Sequence, residues 1–111
     1  MGTYAVYKMW AGVLLTQVDE DNPFIKKVLS SYDFVKKDNL LFEGIGMHGD
    51  KVGIGVKIQE LSWEVEIGSS NFYDVTITNK AIDICKKVAE TFKKLGVSCE
   101  PRIFHHIDLG G

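Results

Sequence analysis

The side chains that could carry chemistry in this 111-residue chain are three histidines, two cysteines and scattered carboxylates. His48 sits in a polar segment between two alternating apolar runs. From there it could reach a ligand at a sheet edge and change charge near pH ~6.5; the competing reading is a solvated turn residue. His105 and His106 are neighbours, and on a regular strand they point to opposite faces, so they do not form a paired metal site. Cys85, Cys99, Asp108 and His48 add no zinc spacing, because zinc needs several donors converging on one point. Cys85 falls on the apolar stripe of a helix, where a thiol packs as a small core group. A nucleophilic role would need exposure and a nearby base. Asp19, Glu20 and Asp21 lack the ligand spacing and glycine of a calcium loop and suit a helix entry instead. Glu60, Glu64 and Glu66 share one strand parity without a partner acid or base, which describes a wet sheet face. No catalytic residue, metal site or cofactor is assigned on these grounds, and a non-enzymatic role is favoured.

Trp10, Trp63, Phe72, Tyr73 and Phe104 could stack on a flat ligand or on bases if exposed. Trp63 has inward parity, whereas Trp10 shares its face with Lys8. The pairs Lys26–Lys27, Lys36–Lys37, Lys86–Lys87 and Lys93–Lys94 read as separate solvated faces. With a formal net charge of -2, nucleic acid and anionic membranes are disfavoured as partners.

The most specific feature is LLFEGIGMHGDKVGIGVKI. With Gly49 and Asp50 as the turn, Gly46 faces Gly53, Gly44 faces Gly55, Ile45 faces Ile54 and Met47 faces Val52. One side of the ribbon is then apolar and the other nearly bare backbone. Glycine in a strand costs roughly 0.5–1 kcal/mol relative to alanine. A flat ligand, a closely docked partner or strong bending could each offset that cost. Gly44, Gly46, Gly53 and Gly55, with His48 and Trp10, are therefore the interface or ligand-binding candidates. GIGMHGDKVGIG is neither a dinucleotide fingerprint, since it opens no helix, nor a P-loop, since it lacks the GK[ST] ending.

The elements that must position these residues follow from periodicity. Residues 3–15 alternate as a strand. Asn22 caps a short helix with Pro23 in its first position, and Ile25, Val28, Leu29 and Tyr32 line one side. Residues 33–39 read as a charged connection, and 40–58 as the glycine hairpin. Leu61, Trp63, Val65 and Ile67 mark a half-buried strand, and 73–77 one more strand or an extension. The helix 79–95 carries a stripe of Ala81, Cys85, Val88, Phe92 and Leu95, with Thr78 or Asn79 at its start and Gly96 after its end. A last strand covers 98–107.

Two amphipathic helices need a partner layer. The expectation is a single α+β domain, 1–111, with an antiparallel or mixed sheet of four to six strands and both helices on one face. It resembles a ferredoxin-like plan with extra central strands. At 45% apolar and 25% charged, the composition is that of a globular domain. No leader or membrane span is read, and two cysteines without a CxxC suggest reduced thiols and a cytoplasmic location. The leading functional expectation is a binding or regulatory module using a sheet face or edge, as a homodimer or with a protein partner. The alternatives are a small-molecule groove at the hairpin and a weak RNA-binding module.

Overall fold

The computed structural model describes residues 3–46, 51–65 and 78–110. Its elements, in chain order, are β1 (Thr3–Leu14), α1 (Pro23–Ser30), β2 (Val35–Lys37), β3 (Leu40–Ile45), β4 (Gly53–Val65), α2 (Asn79–Lys94) and β5 (Arg102–Gly110), with one 3-10 turn after β1. The strands form one sheet in the order β2-β3-β4-β1-β5, every neighbouring pair antiparallel. β1 and β3 thus run parallel with β4 inserted between them, and β4 and β5 run parallel with β1 between them. These are the two interlocked split βαβ units of the ferredoxin-like plan. The additional strand is β2, and it lies at the edge rather than in the centre.

β2 exists because of its turn. Asp38 and Asn39 both adopt positive φ, 51° and 63°, as a two-residue hairpin loop requires, and Asp and Asn tolerate that region better than most residues. A three-residue strand containing Lys36 and Lys37 shows no periodicity, so the segment reads as a connection.

The second arm of the expected 40–58 hairpin and the expected strand that starts at Leu61 are one element, described as far as Val65. Met9 pairs with Gln59 and Trp10 with Lys57, so Ile58 is an extra residue in β4. This bulge moves the inward parity from Ile54 and Val56 to Leu61 and Trp63 without breaking the strand.

The glycine register also differs from expectation by one residue. Gly44 lies opposite Ile54, Ile45 opposite Gly53 and Glu43 opposite Gly55. A slip of one exchanges faces: Phe42 and Val56 point toward the helices, as the core requires, and Ile45 joins Gly53 on the opposite face. Met47 and His48 fall outside the described residues, as does the expected strand 73–77. β5 starts at Arg102, after Pro101, which has no N–H to offer a ladder.

Both helices cover one face. Their core centres on Phe24, Phe42 and Phe92, with ring centroids 5.1–6.3 Å apart, surrounded by Ala11, Val13, Ile25, Val28, Ile54 and Val88. A smaller cluster joins Tyr7, Met9 and Ala81. The helix ends are tied together. The N–H groups of Phe24 and Ile25 donate to Asn22 Oδ1 at 2.9 and 3.3 Å, while Asn22 Nδ2 donates to the Leu95 carbonyl at 2.9 Å. α2 is capped by Thr78, whose hydroxyl accepts from the Ala81 N–H. It ends in a Schellman motif, with Gly96 at φ 77° and the Val97 N–H donating to the Phe92 carbonyl at 2.9 Å.

Candidate functional site

The face away from the helices carries the even-numbered residues of β1 and their partners. Here Trp10 lies between Lys57 of β4 and Phe104 of β5. Its ring stacks on Phe104 with centroids 4.6 Å apart and planes 20° from parallel. On its other side it sweeps over Gly53, where a Cβ would overlap the ring. Gly53 therefore has a local cause: it lets an indole lie flat on the backbone. Trp10 is only 3% exposed although neither α1 nor α2 lies on this face.

Beside the stack is a cavity of about 220 Å³. Leu14, Ile45, Trp10 and Phe104 supply its apolar wall, Gly53 opens it toward the strand, and Lys51, His105 and His106 complete the lining. Two of these residues carry a buried polar atom without a hydrogen-bond partner: Trp10 Nε1 and His106 Nδ1. Leaving such a group unpaired costs about 1–3 kcal/mol, and because most buried polar groups in native proteins are paired, each of these two calls for a cause. His106 Nε2 lies 3.5 Å from the position a Gly46 Cβ would take, and Gly46 sits at φ 72°, a conformation that favours glycine.

A strip of mixed charge runs alongside. Lys57 Nζ donates to Glu60 Oε2 at 3.0 Å, and Lys8 stands 3.9 Å from Glu60. The Lys57 hydrogen bond holds the Glu60 carboxyl below its ordinary range despite some desolvation. Glu43, opposite Gly55, is pushed up by burial, and Lys8 and Lys57 only partly oppose that.

Of the residues singled out from sequence, Trp10, Gly53 and Gly46 gather around this cavity. Gly55 does not open onto it. It abuts Gly12, and a Cβ on either residue would run into the other strand's backbone; this pair lets β1 and β4 approach each other closely. Gly44 lines a separate groove of about 420 Å³ with Val28, Tyr32 and Phe34. His48 is outside the described residues. Phe104, which the sequence offers only as one of several stacking aromatics, His106, which it offers only as half of a metal pair, and Ile45, which it places only by hairpin register, complete the lining. The available signal was that Trp10 and Phe104 have matching alternation, but only the β1–β5 register makes them neighbours.

Other reactive groups have structural settings. His105 Nδ1 and the Tyr7 hydroxyl are hydrogen-bonded on the helix side of the sheet, their rings stacked at 5.7 Å. Burial raises the Tyr7 phenol. Burial, with Glu100 nearby, raises the Cys85 thiol, which points to the Pro101 carbonyl at 3.7 Å. Among the described residues no three His, Cys, Asp or Glu side chains converge as a metal site, and no helix is long and apolar enough to cross a membrane. Comparison with protein-family models, with curated proteins and with solved structures gives no match to this chain.

Proposed function

We propose that this protein is a non-enzymatic binding module that takes a small ligand with an apolar, planar body and a carboxylate in the cavity beside Trp10. The observation that carries this reading is the pair of buried, unpartnered polar atoms, Trp10 Nε1 and His106 Nδ1, on residues lining one cavity with otherwise apolar walls. Binding sites commonly combine such walls with a few polar groups that fix orientation. An indole N–H is a donor only and calls for an acceptor. Lys51 adds a cation to the lining and favours an anionic acceptor. The volume of about 220 Å³ is below the ~300–1,000 Å³ of drug-sized sites, which points to a single-ring acid.

Calorimetric titration with benzoate, phenylacetate and 3-phenylpropionate, against benzyl alcohol and benzylamine, tests the reading. At least one acid binds saturably and the amine does not. Trp10→Phe keeps a ring and removes the N–H, weakening the acid by roughly 5–30-fold, the equivalent of about 1–2 kcal/mol. If none of the acids binds, or if Trp10→Phe leaves their affinity unchanged, the reading fails.

A further inference from the structure

The outer edge of β5 has no neighbouring strand among the described residues. Such an edge presents free N–H and C=O groups to any chain that can align with them. When a strand pairs with its own copy about a two-fold axis normal to the sheet, faces are preserved. Odd residues must then oppose odd and even oppose even, which leaves a short set of registers.

One register is self-complementary. With His105 on the axis, Arg102 opposes the partner's Asp108, Ile103 opposes the partner's Ile107, and Phe104 opposes the partner's His106. Moving the axis to Phe104 sets Ile103 against the partner's His105 and Arg102 against the partner's His106. Moving it to His106 sets Phe104 against the partner's Asp108 and His105 against the partner's Ile107. Only the His105 register joins opposite charges at both ends and places branched apolar side chains together between them. Opposite-charge and apolar cross-strand pairs are the stabilising ones. The residues needed are accessible: Arg102 and Asp108 are exposed, and Ile107 is 62% exposed although its β1 partner is the buried Tyr7.

We infer that β5 pairs with β5 of a second copy in this register, joining two five-stranded sheets into one continuous sheet. Phe104 walls the cavity beside Trp10, so the two cavities come to lie on the same face, each with the partner's His106 beside its own Phe104. The pairing stands on the edge alone and does not depend on what the cavity binds.

Sedimentation equilibrium of the full chain, from micromolar to millimolar concentration, tests the inference. The wild type associates from 12.4 kDa to twice that mass. Arg102→Asp sets two carboxylates opposite each other at both ends, Asp108→Arg sets two guanidinium groups there, and each weakens association at least about tenfold. The double exchange Arg102→Asp/Asp108→Arg restores it to within about threefold of wild type. Ile107→Lys gives a monomer with unchanged circular dichroism, which separates lost pairing from lost folding. A wild type that stays at 12.4 kDa throughout overturns the inference. So do single reversals without effect, or a double exchange that fails to restore association. A monomeric result leaves the titrations at Trp10 standing, so the two readings fail separately.

Discussion

The two faces of the sheet are built by opposite rules. On the helix side, Phe24, Phe42 and Phe92 pack against one another, and nearby polar groups are paired. Thr91, itself 1% exposed, donates from its hydroxyl to Asp38 Oδ2 at 2.9 Å, latching the β2–β3 turn onto α2. On the other side, an equally buried Trp10 rests on Gly53 and Phe104 with its N–H unpaired. A surface that serves only stability has no cause to bury an unsatisfied donor, since pairing the group or replacing it would each be cheaper. The contrast separates the part of the molecule that holds the fold from the part proposed to bind a ligand.

The glycines sharpen this contrast most strongly. Gly55→Val drives a side chain into the Ala11–Gly12 backbone and abolishes the folded state, a loss above about 4 kcal/mol. Gly46→Ala meets the strain of φ 72° and costs about 1–2 kcal/mol. Far-UV circular dichroism and urea unfolding distinguish the two.

The aromatics give the next effect. Phe92→Ala empties the centre of the covered core and costs about 3–5 kcal/mol. Phe104→Ala loses mainly a half-exposed stack, at about 1–2 kcal/mol, but removes acid binding. Urea midpoints combined with calorimetry reveal that crossover, and equal losses of stability would erase the distinction between the faces.

Asn22→Ala removes the α1 cap and leaves the Leu95 carbonyl without its donor. It costs about 1–2 kcal/mol in urea unfolding and leaves ligand affinity unchanged.

The smallest effect is a pH dependence. Hydrogen bonds from Thr91 and then Lys94 hold the Asp38 carboxyl below its ordinary range. A folded-state value below the unfolded one stabilises the fold above the unfolded value and loses that contribution as pH falls through the folded one. Asp38→Asn therefore flattens the acid limb of stability against pH, while the neutral-pH binding of acids stays as in wild type.

How far the sequence foretells this architecture depends on how local each signal is. α2 is legible because Ala81, Val88 and Phe92 repeat on one stripe, between a capping Thr78 and a terminating Gly96. β2 is not, because three residues cannot display a period and its cause is the turn geometry at Asp38 and Asn39. β4 looks like two strands because the Ile58 bulge switches its parity. The glycine pairing differs by one because the polar segment does not by itself fix the register, whereas burying Phe42 with Val56 does. At the candidate site, Trp10, Gly53 and Gly46 are recognisable as unusual residues one at a time. Their convergence with Phe104 and His106 depends on the long-range registers β4–β1 and β1–β5, which no local pattern encodes.

The most direct test is the indole N–H resonance of Trp10 in a ¹⁵N-labelled sample, assigned by its loss in Trp10→Phe. Saturating phenylacetate moves it downfield along a single binding curve, and His106→Ala weakens that curve, while the Trp63 resonance stays in place. A Trp10 resonance that does not respond to any of the acids, or that moves only in step with Trp63, contradicts a binding site on the face of the sheet away from the helices.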